Sequence, residues 1–571
     1  MNKKDVIRLL ETIAIYMELK GENTFKISAY RKAALAIEQD ERPLEGITDI
    51  TSLPGVGKGT AAVIQEYLDH GYSTVLKELQ ESVPQGLIPL LKLQGLGGKK
   101  IAKLYQELGV TDLASLQKVC EEGKVRALAG FGEKSEQKIL QSVKEAGTRP
   151  ERLPIAFMLD IAEEIEQQLA TMKDITSYSR AGSLRRMRET IKDLDFIIAT
   201  EQPESIKEQL LNINRIKDII ASGNTKVSLL LDYEYEVSVD FRIVEPKAFA
   251  TTLHHFTGSK EHNVKMRQLA KERGLKISEY GVENTETGEM ITFDSEEQFF
   301  QYFGRTFIPP ELREGEREVE QFQESIHLIQ RHDIVGDLHM HSTWSDGAHT
   351  IEQMAKACME KGYSYMAITD HSRYLRVANG LTVDQLKRQH EEIRKLNEQF
   401  DNFTILTGVE MDILPDGSLD YDDELLEGMD IVIASIHSSF SQDQATIMKR
   451  LKTALDSFHV DIIAHPTGRI IGSREGYDVD IDLLIQLAKE TNTALELNAN
   501  PHRLDLASHY IQKAQDAGVK IVINTDAHHT QQLDYMDIGI AAARKGWIRK
   551  ENVINTFELP KLMEFLRRHH E

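Results

Sequence analysis

The chain has 571 residues, is 41% hydrophobic and carries a formal net charge of −23, enough apolar material for several cores rather than one. Its two cysteines, Cys120 and Cys358, lie far apart with no partner spacing, which excludes a disulfide framework and a cysteine-bound zinc. No apolar run reaches membrane length, and Met1-Asn2-Lys3-Lys4-Asp5 leads into a charge-broken pattern rather than an apolar leader, so a cytoplasmic protein is expected.

The acidity is uneven. Residues 1–150 hold 21 Lys+Arg against 20 Asp+Glu, a balance of +1 that leaves −24 for the remainder. This first region reads as short helices joined by glycine turns, with three versions of one element. They are Leu53-Pro54-Gly55-Val56-Gly57-Lys58, Leu93-Gln94-Gly95-Leu96-Gly97-Gly98-Lys99-Lys100 and Leu128-Ala129-Gly130-Phe131-Gly132-Glu133-Lys134. Each precedes a helical pattern, such as 61–68 or 101–108. A Gly-x-Gly turn ahead of a helix exposes backbone N–H groups that hold a phosphate without reading its base. Gly55, Gly57, Lys58, Gly95, Gly97, Lys99 and Lys100 are therefore the candidate DNA-backbone contacts. Such turns also serve as plain helix connectors, and their repetition favours the binding reading.

From Arg152 the pattern turns to mixed α/β, with strands expected at 195–199, 227–231 and 237–244. Ala181-Gly182-Ser183 precedes Lys192-Asp193-Leu194-Asp195-Phe196, so Asp193 and Asp195 face one way on a strand while Leu194 and Phe196 enter the core. Asp240 supplies a third acid on what would be a neighbouring strand. Three such carboxylates suit two Mg²⁺ or Mn²⁺ ions that bridge a triphosphate and a primer hydroxyl. Residues 311–324 are almost continuously charged and read as a linker.

Beyond that segment, strands alternate with helical stretches such as 351–361 and 481–490, as a βα barrel requires. Metal-ligand types stand at or near the ends of the short apolar runs: His339, His341, Asp346, His371, Glu410, His437, His465, Asp526 and His528. His339 and His341 are two apart, as are Asp526 and His528, so on a strand each pair faces one side. Imidazole mixed with carboxylate suits manganese, zinc or iron.

These motifs resemble two families. The segment from Phe25 to Lys32 with Ala29-Tyr30-Arg31-Lys32, the first glycine hairpin, Arg152-Leu153-Pro154, Gly182-Ser183-Leu184-Arg185-Arg186 and Phe256-Thr257-Gly258-Ser259 occur in the order of family X DNA polymerases. The opening His-x-His with Ser345-Asp346-Gly347, then Thr369-Asp370-His371, Gly408-Val409-Glu410, Ala464-His465-Pro466 and Asn524-Thr525-Asp526-Ala527-His528 resemble the PHP (polymerase and histidinol phosphatase) family.

The resemblance implies a multidomain chain. A helical helix-hairpin-helix domain over 1–80, a fingers-like helix-hairpin-helix subdomain over 81–150 and an α/β nucleotidyltransferase palm over 151–245 come first. A nucleotide-selecting thumb over 246–315, a linker over 316–332 and a distorted (β/α)7 PHP barrel over 333–571 follow. It also implies roles. Arg152, Gly182, Ser183 and Arg186 would hold the triphosphate, and Phe256, Thr257 and Gly258 would wall the sugar pocket. Asn263 and Arg267 would touch the incoming nucleotide and the template. Asp193 and Asp195 would bind both polymerase ions, and Asp240 the catalytic one. In the barrel, one ion would take His339, His341, Glu410 and Asp526, a second Glu410, His437 and His465, and a third Asp346, His371 and His528, with Mn²⁺ or Zn²⁺ as occupants.

The implied activity is short-gap DNA repair synthesis from dNTPs by a monomer, joined to metal-dependent 3′-5′ exonuclease action, with hydrolysis at abasic sites open to the same chemistry. Two positions depart from the pattern. The lyase lysine of the polymerase family falls at Val63, and the aromatic before Phe256 is replaced by His255. Two other readings stay open at this point: a non-catalytic DNA-binding first half, and a barrel that acts on small phosphomonoesters.

Overall fold

The computed structural model of the protein describes residues 3–39, 47, 49–93, 96–147 and 150–566. They divide into two compact units, Met1–Pro150 with Arg376–Asn379, and the remainder.

The first unit is helical. Helix Lys3–Lys20 packs against Thr24–Gln39, Thr74–Ser82 and Gly98–Leu108, and Leu9, Ile13, Val63, Leu79, Leu104 and Leu116 share one core. Helix starts are set locally: Ser73 accepts the Leu76 N–H, and Asp112 accepts that of Ser115 in a capping box. The starts that follow the glycine turns differ. Gly57 opens Lys58–His70 and Gly97 opens Gly98–Leu108 with no side-chain cap, so their first amides keep their donors for another acceptor.

In the second unit a five-stranded sheet runs in the order Ser177–Arg180, Leu194–Ala199, Glu236–Val244, Lys226–Asp232, Ile216–Ser222. Leu194–Ala199 is parallel to Glu236–Val244 and the other pairs are antiparallel. Alternation along Glu236–Val244 buries Val237, Val239, Phe241 and Ile243 and turns Asp240 to the opposite face. The strands expected from sequence lie inside three of these. Ile216–Ser222 carries no alternation signal because it is an exposed edge, with Ile219 and Ile220 both outside the core.

Helices Phe249–Thr257, Lys260–Lys271 and Glu296–Tyr302 and a three-stranded sheet then surround Met266, Phe299, Phe300 and Phe303. Residues 311–324 are not the solvated linker that their charge suggests. Arg313 is fully buried against Glu296 at 2.5 Å, and Glu318 is buried against His262 Nδ1 at 2.8 Å. Burial opposes ionisation of Glu296, yet Arg313 and Arg185 hold its carboxyl down at about 2. Glu311, Arg313 and Glu318 turn inward while Glu316, Arg317, Glu320 and Glu324 stay exposed, so the segment packs along one side rather than spans.

The barrel has seven parallel strands in chain order: Gly336–Asp337, Tyr365–Ile368, Thr404–Asp412, Ile431–Ser435, Ile462–Ile463, Ala494–Asn498 and Ile521–Asn524. A parallel bridge between Met340 and Ala527 joins its first and last segments. Leu338, Tyr365, Leu406, Ile433 and Val522 cluster with Leu562 and Leu566 of the final helix, Leu559–Leu566, into a closed core. Among the described residues no helix is long and apolar enough to cross a membrane.

Candidate active sites

The sheet register brings the acids together. Asp195 pairs directly with Asp240 across parallel strands, and Asp193 stands immediately before the first of them. Burial, then the nearby Asp240 and Asp193 charges, push the Asp195 carboxyl up to about 7. A cluster that resists its own ionisation this way is stabilised by bound cations, and an all-oxygen donor set fits Mg²⁺ or Mn²⁺. Asp240 is fixed by the Ser228 hydroxyl at 2.6 Å and Lys226 at 2.8 Å, neither of which the sequence motifs single out. Gly182 has φ +62°, and a Cβ there would lie 2.3 Å from Asp195 Oδ2, so only glycine lets this turn approach the acids.

A cleft of about 660 Å³ opens beside Asp195. Arg152, Gly182, Ser183 and Arg186 line one part of it, and Phe256, Gly258, Asn263 and Arg267 another. Thr257 is buried beneath the wall, where its hydroxyl takes Arg185 at 2.7 Å and its carbonyl takes Arg186 at 2.5 Å. Arg152 donates to Thr190 Oγ1 at 3.1 Å and to the Thr190 carbonyl at 2.5 Å. Asn263 Nδ2 donates to the His255 carbonyl at 2.8 Å, while its buried Oδ1 has no partner. His255 packs edge-on to Phe256, and burial lowers its imidazole pKa.

In the barrel, Glu410 is the hub. Its Oε1 lies 3.1 Å from His437 Nε2 and 2.9 Å from His465 Nε2, and its Oε2 lies 3.2 Å from His339 and 3.3 Å from His341. Asp526 Oδ1 completes one group at 3.0 Å from His341 Nε2. Donor atoms of His339, His341, Glu410 and Asp526 converge as one candidate ion site, and those of Asp346, His371, His528 and His341 as another. Among the described residues the third convergent group is His371, Glu410 and His437, so His371 stands where two groups meet, while His465 shares Glu410 Oε1 with His437. A neutral imidazole has one lone pair, so His341 can serve only one of its two groups at a time.

The donors fit cations. His341 Nδ1 and His465 Nδ1 are buried with no hydrogen-bond partner. Burial opposes charge on His341 and His437, but the surrounding carboxylates outweigh it and push both up to about 10. Where carboxylates raise histidines so far, a proton stands at a position a divalent ion can take.

Behind the ligands lies a shell that motif reading passes over. Glu496 Oε2 takes His339 Nδ1 at 2.7 Å, Asp412 Oδ1 lies 3.0 Å from His437 Nδ1, and Asp370 accepts from Ser342, Ser345 and Gln389. The available signal is polar alternation on buried strands, Glu410-Met411-Asp412 and Glu496-Leu497-Asn498. Such outer carboxylates orient the ring and raise its basicity. Glu496→Gln is therefore expected to weaken metal retention by about 10- to 100-fold, read by metal analysis after dialysis against a graded chelator. Parental retention would show that Glu496 does not orient His339.

In the first unit, Gly57, Lys58, Gly97, Lys99 and Lys100 stand at the two helix starts already described, whereas Gly95 lies outside the described residues. Gly55 adopts φ +97°. Val63 is buried in the helical core, so no amine stands at that position.

Comparison with known proteins agrees with this layout. Residues 1–73 match the helix-hairpin-helix domain, 87–145 the SAM-like helix-hairpin-helix tandem, 252–314 the DNA polymerase beta thumb and 337–500 the PHP domain. Over 568 residues, 100% of both chains, the protein is 63% identical to the DNA polymerase/3′-5′ exonuclease PolX of Bacillus subtilis (strain 168). Over 41% of its length it is 28% identical to a probable phosphatase of Thermoanaerobacter sp. (strain X514), covering 95% of that protein. It is equally identical, over the same share, to one of Caldanaerobacter subterraneus, covering 91%. A polymerase with a beta-type thumb joined to a PHP phosphoesterase barrel is a two-centre enzyme of nucleic acid. The chain belongs to the PolX family of DNA polymerase/3′-5′ exonucleases.

Proposed function

We propose that this chain adds deoxynucleotides to a primer 3′-hydroxyl in short DNA gaps and removes them from the same kind of end in the barrel. The observation that carries the first half is the Asp195–Asp240 register beside the Gly182–Ser183 turn. Arg152 and Arg186 turn from the Thr190 and Thr257 carbonyls toward the triphosphate and offset its growing charge. Ser183 donates a hydrogen bond to a phosphate oxygen, and Phe256 walls the sugar. Asn263 Oδ1, buried and unpartnered, is poised to accept from the incoming nucleotide. Asp193 and Asp195 hold two divalent ions, Mg²⁺ or Mn²⁺. Asp240, fixed by Ser228 and Lys226, takes up the primer hydroxyl's proton.

In the barrel, Glu410 and the surrounding imidazoles fit three divalent ions, Mn²⁺ or Zn²⁺ by their mixed donor set. Bound there, such ions would supply Lewis acidity and a more acidic water for phosphodiester hydrolysis. Asp412 and Glu496 hold the ligand rings to their tautomers throughout.

A second reading, hydrolysis of small phosphomonoesters, is favoured by the 28% identity to proteins named probable phosphatases. Rates on 5′-labelled primer–template and on a chromogenic phosphomonoester separate the two. Faster hydrolysis of DNA supports the nuclease, and hydrolysis confined to the monoester contradicts it.

DNA binding by the helix-hairpin-helix amides and by Lys58, Lys99 and Lys100 is expected to be steep in salt and flat in sequence. Fluorescence anisotropy on unrelated sequences across a salt series checks this. A strong preference for one sequence at fixed salt would contradict it.

With valine buried at position 63, an efficient Schiff-base lyase is absent, since that chemistry needs an amine lone pair beside the sugar aldehyde. Borohydride trapping on an incised abasic substrate in excess EDTA is expected to give little adduct. Abundant adduct formed at the rate of product release would overturn this.

A further inference from the structure

Residues 186–190 are one place where the barrel reaches the polymerase centre. Arg186 stands at its start, and Thr190, which holds Arg152, at its end. Arg469 of the barrel grips the intervening Glu189 with both arms, at 2.7 and 3.1 Å. Lys545, the last residue of the barrel helix Tyr535–Lys545, takes the other end. Its ammonium donates to the Arg186 carbonyl at 3.1 Å, to the Glu311 carbonyl at 3.3 Å and to Glu314 Oε1 at 3.0 Å. Three donors meet three acceptors, and the side chain is only 20% exposed. The next residue back, Arg544, adds a 2.6 Å ion pair to Glu311.

Glu314 makes this contact functional. It lines the same cleft as Ser183 and Asn263, and its Oε1 also faces Arg186 Nε, at 3.4 Å. Lys545 and Arg186 therefore share one carboxylate oxygen. Lys545, Arg186 and Arg188 together hold the Glu314 carboxyl below its ordinary range despite burial. With Lys545 in place, Glu314 is neutralised from the barrel side, and Arg186 can leave it for a triphosphate at little cost. Without Lys545 a half-buried carboxylate would have Arg186 as its main partner and would retain it.

We propose that Lys545 of the PHP domain is a positioning residue for the polymerase centre, acting through Glu314 to keep Arg186 available to the incoming nucleotide. The proposal rests on the reading that Arg186 holds the triphosphate. The nuclease domain would thereby set nucleotide affinity in the polymerase without touching DNA or nucleotide.

The test is single-nucleotide insertion into gapped DNA by the full chain and its Lys545→Ala, Lys545→Ala/Glu314→Gln and Arg186→Ala variants. Lys545→Ala is expected to raise KM for the dNTP about tenfold, the scale of one charge-assisted hydrogen bond, with kcat within about twofold and 3′-5′ digestion at the parental rate. Adding Glu314→Gln removes the trapping carboxylate and is expected to restore KM to within about threefold of the parent. A merely structural lysine would lower the active fraction, and hence kcat, and would gain nothing from Glu314→Gln. If Lys545→Ala does not fold, Lys545→Met, which keeps most of the apolar stem and drops the ammonium, gives the same readout. An unchanged KM in Lys545→Ala alongside a raised KM in Arg186→Ala overturns this inference alone, as does failure of Glu314→Gln to restore it. An unchanged KM in Arg186→Ala overturns the nucleotide-site reading beneath it.

Discussion

Asp195→Ala is expected to abolish nucleotide addition, by at least about a thousandfold or about 4 kcal/mol of transition-state stabilisation, while 3′-5′ digestion continues at the parental rate. Asp195 sits in register with Asp240, is half-buried, and has its carboxyl pushed up by burial and by the neighbouring Asp240 and Asp193 charges, so its ionised form is favoured by bound cations. On the proposed reading, removing it would take a shared ligand from both ions and leave Asp193 and Asp240 too few oxygens to hold them. The Gly182 turn, which approaches Asp195 too closely for any side chain, would also lose the group it is shaped around. Primer extension under single-turnover conditions reads this directly. Retained extension would mean that the acids are a solvated strand edge and not a metal centre.

Glu410→Ala is expected to remove the nuclease by a similar factor, about a thousandfold or more, since every imidazole of two groups faces one of its two oxygens. His339→Ala follows for the same reason, with Glu496 then left buried without its imidazole. Metal analysis is expected to show fewer ions per chain in both variants, with primer extension intact. Digestion at the parental rate in a metal-depleted variant would place the nuclease elsewhere.

Much of this was legible in the sequence because chemistry fell on strand ends. His-x-His brings two donors to one ion group, although both lie just past Gly336–Asp337, whereas Asp526, with φ +54° beyond Ile521–Asn524, joins a different group from His528, so strand alternation alone does not aim that pair. The glycine turns were legible for a similar reason: backbone freedom at Gly55 or Gly182 is a local property. What stayed hidden depends on partners far along the chain. Glu496 reads as one more polar residue on a buried strand until His339, 157 residues away, is placed beside it. Residues 311–324 look like a solvated run because charge is local, while the pairing of Arg313 with Glu296 is tertiary. The grip of Lys545 on Arg186 spans 359 residues, and no spacing rule reaches that far.

The separation of synthesis and 3′-5′ digestion into two centres of one chain underlies both expectations. It is tested most directly by a single time course on a 5′-labelled primer in a gapped duplex, first without nucleotides and then after dNTPs are added. The parent, Asp195→Ala and His339→Ala are run side by side. The expected pattern is shortening then lengthening in the parent, shortening alone in Asp195→Ala and lengthening alone in His339→Ala. Loss of both activities in either folded, monodisperse variant, or lengthening by Asp195→Ala, would contradict it.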